Sequence, residues 1–253
     1  MSSAPNPIFS LIWFMATTTI FFVVRFITED SAKLVFFVIY IFLLILGEFF
    51  INLQLTSAMC GGVTQTGTAL LVTFIPWLII FGLLNVMLIV FKGWKQPFSN
   101  TFGYLMTRLM GISGLLDDIL KSKSDASNGK AGEGLESIYH DKSLFINEIP
   151  VEDFDRFWQN MKDYFKPEAF TDEDLKDKLR MMVYMKDLVS EYIWFSLTGC
   201  LVTSVAFNYL ANTKCTKSVK EMHKRHNDTT AKNLAQLEAD SAAPTPRIYM
   251  LNE

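Results

Sequence analysis

The chain has 253 residues, half of them hydrophobic, 22 of them phenylalanine, with a net charge of -3 and a mean hydropathy of +0.24. A positive mean hydropathy beside 19% charged residues requires apolar and polar residues to be segregated along the chain. This balance excludes a basic nucleic-acid binder, because residues 98–191 hold 18 acidic against 12 basic side chains and repel phosphates on average.

Four apolar blocks stand out: Ile8 to Ile27, Leu34 to Ile51, Ala69 to Phe91 and Tyr192 to Ala211. Each is near the length of about 20 residues that a helix needs to cross hydrocarbon. None alternates with period two, so helices rather than barrel strands are expected. The first block has no basic stretch before it and no small-residue cleavage site after it, so it reads as a retained span rather than a secretory signal. Arg25 and Glu48 lie near block ends and are expected to reach headgroups, which leaves no intramembrane charge to define an ion path.

Between Glu48 and Lys92 lie 43 residues without a charge, including the connection from Asn52 to Thr68. Its glycines do not make a phosphate loop: Gly61, Gly62 and Gly67 lead into Thr68, Ala69 and Leu70, not Lys and Ser. Such a segment suits a chain that folds back at headgroup level, packs against neighbouring helices or is covered by a partner, with Thr68 as a helix cap, and equally a short uncharged lumenal turn. Cys60, Cys200 and Cys215 form neither a Cys-x-x-Cys pair nor an even set, so buried or interfacial thiols are expected, without zinc or disulfide. Within the third span Pro76 predicts a kink, and Gly82 with Asn85 a helix-packing face. Lys92, Trp94, Lys95 and Tyr104 mix cations with amphipathic aromatics, the pattern of a membrane interface.

From Phe98 to Leu120 the apolar residues recur at helical spacing, interrupted by Arg108, Asp117 and Asp118, which predicts an amphipathic interfacial helix. Residues 121–134 have the composition of a flexible linker. Pro150 opens a segment with Phe154, Phe157, Trp158 and Met161 on one face, expected to contact a partner, and Pro167 stops it. Thr171 followed by Asp172, Glu173 and Asp174 starts a stripe that runs without a breaker into the fourth span, predicting one helix to Ala211 of roughly 60 Å. Beyond it come a basic juxtamembrane stretch and an extended terminal peptide whose Ile248, Tyr249, Met250 and Leu251 nothing local can bury, so docking on a partner is expected.

The organisation is therefore all-α and polytopic: a three-span region (1–97), an extramembrane helical region (98–191), a fourth span (192–211) and a tail (212–253). An even span count places both termini opposite the segment from Lys92 to Glu191. Basic residues flank both faces, so the positive-inside rule gives no vote, and the sequon Asn227-Asp228-Thr229 is usable only if the tail is lumenal. His140, His223 and His226 are the only histidines; the last two sit beside Lys224 and Arg225, which suits a solvated basic helix better than a metal site. No catalytic residue, cofactor or metal is expected, and the lipid bilayer is the first partner. Self-association is a further expectation.

The run from Asn52 to Tyr104, with its Cys-Gly, Ile-Pro-Trp and Pro-Phe-Ser-Asn-Thr-Phe-Gly-Tyr elements, resembles the multispan membrane proteins encoded by large nucleocytoplasmic double-stranded DNA viruses. The resemblance covers about a fifth of the chain. It implies a membrane-spanning minor capsid protein that ties an internal virion membrane to an icosahedral shell, with capsid proteins or other minor capsid proteins as partners. It brings no catalytic residue. A cellular membrane-organising or trafficking protein is the alternative, and a small-solute transporter a more distant one.

Overall fold

The computed structural model describes residues 6–28, 30–122, 130–213, 215 and 219–242, and among them it is all-α. In chain order the helices are α1 (Ile8–Ile27), α2 (Lys33–Met59), α3 (Thr66–Val90), α4 (residues 96–109), α5 (Ile112–Ile119) and α6 (Lys130–His140). They continue with α7 (Lys142–Glu148), α8 (Phe154–Asn160), α9 (Pro167–Thr171), α10 (Glu173–Ala211) and α11 (Val219–Ala242).

Four of these, α1, α2, α3 and α10, are long and apolar enough to cross a membrane. Their outward faces carry bare hydrocarbon such as Phe9, Ile20, Leu34, Phe42, Leu71 and Ile89, which suits lipid as the surrounding solvent. Their inward faces meet in an aromatic core of Phe14, Phe21, Phe22, Tyr40, Trp77, Phe81 and Phe195. Lipid supplies no hydrophobic drive between helices, so close packing must hold them together. Two glycines permit it. The ring of Trp13 lies where a side chain at Gly47 would stand, and the ring of Phe14 where one at Gly199 would stand.

The glycines after the second apolar block end a helix. Gly62 N–H donates to the Ser57 carbonyl at 2.7 Å and Gly61 N–H to Ala58 at 3.4 Å, with both glycines at positive φ. This pair of bonds closes α2 with a left-handed cap that favours glycine. Helix α2 therefore runs past the apolar block, through Asn52 and Thr56, to Met59. Helix α3 starts at Thr66 after Gln65 with no side-chain cap, so the capping role expected of Thr68 is not observed. It accommodates Pro76 through a run of π turns from Ile75 to Phe81, where wider hydrogen bonding absorbs the missing donor.

Outside the bundle, α4 runs back along the first half of α10, α5 and α9 also pack on that helix, and α6 to α8 complete the same core. The single interfacial helix expected from 98 to 120 is broken: Gly111 takes φ +89 and turns the chain between α4 and α5. Phe102, Leu105 and Leu109 on α4 are exposed, whereas Ile112, Leu115, Leu116 and Ile119 on α5 are core. Of the expected linker, residues 130–134 begin α6, which buries Leu135 just beyond them, while 123–129 lie outside the described residues. Asp141 caps α7 by accepting from Ser143, and these hydrogen bonds hold its carboxyl below the usual carboxylate range. Asp172, not Thr171, caps α10, accepting from the N–H groups of Asp174 and Leu175 at 2.9 and 3.3 Å. From there α10 runs 39 residues unbroken to Ala211, as its sequence predicts.

The face expected to meet a partner turns inward. Phe154 and Trp158 are 2% and 1% exposed, and Phe157 and Met161 pack partly buried against the same core. Trp158 sits among Phe165, Phe154 and Phe170, and its indole N–H donates to the Phe170 carbonyl at 3.4 Å. The periodic stripe packs into the domain's own core, against Phe145, Phe165 and Phe170. Ile248, Tyr249, Met250 and Leu251 lie outside the described residues.

Candidate functional site

Three constellations hold chemistry-bearing side chains. The first is a charged collar where the bundle meets the external domain. Arg25, from the last turn of α1, pairs with Glu191 of α10. Lys95 donates to Asp187 at 2.8 Å and reaches Glu191 at 3.6 Å. Lys33 Nζ lies 4.8 Å from the Tyr184 ring centroid. On the same level Trp194 packs between Trp94 and Phe98, with ring centroids 6.0 and 6.1 Å away. Cations, carboxylates and indoles gathered there suit a headgroup boundary, and the ion pairs orient α1 and the start of α4 on α10.

A cavity of about 940 Å³ opens beside this collar, lined among others by Ser99, Asn100, Asn147, Arg180 and Lys186. Its lining mixes cations with Glu148, Asp153 and Asp187, so neither charge sign is selected. Lys186 is almost fully buried and donates to the Ile146 carbonyl at 2.7 Å, which fastens α7 to α10. At the same place Gly103 lets α4 approach so closely that a methyl group there would overlap the Lys186 carbonyl oxygen.

The second constellation is a polar seam inside the bundle. Glu48 is fully buried and accepts from the Ser10 hydroxyl. Asn52 donates to Thr73 Oγ1 at 2.9 Å, and Thr18 and Tyr40 share a hydrogen bond of 3.0 Å. Glu48 therefore does not reach headgroups as expected from its place near a block end. Because α2 extends to Met59, Glu48 falls in mid-helix, and an ionisable residue within a span is a functional candidate by default. The seam joins α1 to α2 and α2 to α3 by side-chain hydrogen bonds, while the second carboxylate oxygen of Glu48 is buried without a protein partner among the described residues.

The third is covalent. Cys60, just past α2, and Cys215, just past α10, form a disulfide across 155 residues, while Cys200 is a free thiol. The expectation of unpaired thiols is corrected for the first two: no local spacing reveals a pair whose partners meet only because two spans end on one face.

The remaining sequence-derived positions separate. Pro76 is buried in the π turns. A side chain at Gly82 would meet nothing within 4 Å, so this glycine supports no close helix contact, and Asn85 donates back to the Phe81 carbonyl of its own helix at 2.8 Å. Lys92 opens the 3-10 turn that leads to Lys95. Trp94 is exposed beside the collar, and Tyr104 packs against the external core instead of the interface. Among the described residues no group of three or more His, Cys, Asp or Glu is placed to hold a metal ion. Compared with protein-family models, curated proteins and solved structures, the chain matches none.

Proposed function

We propose that the protein is a structural membrane protein of a virion, in which four spans anchor the chain in an internal membrane and the external helical domain faces the protein shell. One observation carries this reading: α10 passes from the bundle into the external domain without a break, and the collar clamps α1 and α4 to it at the boundary. A domain held so stiffly keeps a fixed attitude to the membrane, which is what tethering a bilayer to a lattice requires. The resemblance of residues 52–104 supplies the setting. Four spans leave the domain and the start of the tail on opposite faces, so this reading gives the shell contact to the domain, while residues 244–253, the other expected contact, lie outside the described residues.

Crosslinking of intact particles through Lys178, whose side chain is half exposed on α10, should recover shell peptides joined to it. Absence of the chain from purified particles, with recovery only from host membranes, would instead favour a cellular membrane-organising or trafficking protein.

Buried Glu48 favours a second reading, passage of a small solute or proton through the bundle. Purified protein in liposomes would then carry a flux, and Glu48→Gln would abolish it; no flux above protein-free vesicles removes this reading.

A further inference from the structure

We infer that the membrane face bearing the Cys60–Cys215 disulfide is lumenal or extracytoplasmic, and that Asn227 on the same face accepts an N-linked glycan. The two cysteines follow the second and fourth spans, so both emerge on one face. Disulfides persist in oxidising compartments and are rare in the cytosol. Flanking charge does not decide the side: Lys33, Lys95, Arg180 and Lys186 stand at the opposite boundary, and a second basic group from Lys214 to Arg225 follows the last span on this one. The disulfide carries the assignment, because a reducing compartment does not sustain it.

The tail beyond Cys215 shares that face. Asn227-Asp228-Thr229 is the chain's one Asn-x-Ser/Thr sequon, and all three residues are exposed on α11. In the transfer, the amide nitrogen of Asn227 bonds to the anomeric carbon of an oligosaccharide carried on a lipid diphosphate. That carbon's bond to the phosphate oxygen breaks, the lipid diphosphate leaves, and the amide gives up one proton. The modification would add a large hydrophilic group to the face turned away from the external domain. It would also bar the tail from any apolar contact near Asn227.

The test is expression of the full chain in glycosylating eukaryotic cells, read as electrophoretic mobility with and without peptide N-glycosidase. The native chain should lose one glycan's mass on digestion; Asn227→Gln and Thr229→Ala should run at the digested position untreated, and Thr229→Ser should keep the shift. Asp141→Asn completes a sequon with Lys142 and Ser143 on the opposite face and preserves the α7 cap, since Asn caps as well as Asp. It should add no second glycan. A native chain insensitive to the glycosidase, or a glycan gained in Asp141→Asn, would overturn the assignment. The inference does not rest on a virion setting: Asn227 can be glycosylated in a chain that never enters particles, and particle content is measured separately.

Discussion

Trp158→Ala is expected to destabilise the external domain by about 3–5 kcal/mol, with the four spans still inserted. Trp158 is 1% exposed, its ring centroid lies 4.7 Å from that of Phe165, and Phe154 and Phe170 flank it. Truncation leaves a void that helices of seven and five residues, α8 and α9, are too short to collapse around without losing their own hydrogen bonds. Protease susceptibility of the domain in detergent micelles, with no partner present, reads the effect. Leu144→Ala, at a leucine 61% exposed, is the control and should change stability by no more than about 0.5 kcal/mol. If Trp158 served a partner instead of the core, the isolated chain would be as resistant as the native one.

The difference between those two roles shows what the sequence can and cannot carry. The stripe of Phe154, Phe157, Trp158 and Met161 is plain in the order of residues, but periodicity states only that a face is apolar, not what covers it. Here Phe145, Phe165 and Phe170 of the same chain cover it. The spans were legible because lipid demands contiguous apolar runs, and the continuity of α10 because no proline or glycine pair interrupts the stripe between Asp172 and Tyr192. The spacing joins α4 to α5 because it carries through Gly111, whose positive φ is a backbone fact that no hydrophobic pattern reports. Glu48 was misplaced for a related reason. Uncharged polar residues from Asn52 to Ser57 extend α2 beyond its apolar block, so the block's end was not the helix's end. The pairing of Cys60 with Cys215 lies across 155 residues and depends on how the spans return, which only the fold supplies.

The collar and the seam divide the work of holding the bundle. Ion pairs at the boundary are partly wet: the side chains of Arg25 and Lys95 keep 25% and 26% of their exposure, and pairs of this kind contribute modestly. They orient α1 and α4 on α10 more than they bind them. The binding lies deeper, where rings enter the space left by glycines.

That makes Gly199 a sensitive position in the bundle. Gly199→Ala is expected to cost about 1–3 kcal/mol, since the added methyl would overlap the Phe14 ring and that ring cannot withdraw. Phe14 is fully buried and is held by Trp77 at 5.5 Å and Phe81 at 6.3 Å between ring centroids. Relief must come from moving α1 away from α10, which loosens the clamp below the external domain. Phe14→Leu in the same chain removes the atoms that collide and should recover part of the loss, so a double-mutant cycle should return a coupling of about 0.5–3 kcal/mol of opposite sign to the single effects. Thermal unfolding in detergent micelles, followed by circular dichroism, gives all four corners. Gly67→Ala is the matched control, because a side chain there meets nothing within 4 Å. Equal stability of Gly199→Ala and Gly67→Ala would mean that Phe14 does not occupy the space over Gly199, and the packing of α1 on α10 would have to be abandoned together with the stiff anchor it supports.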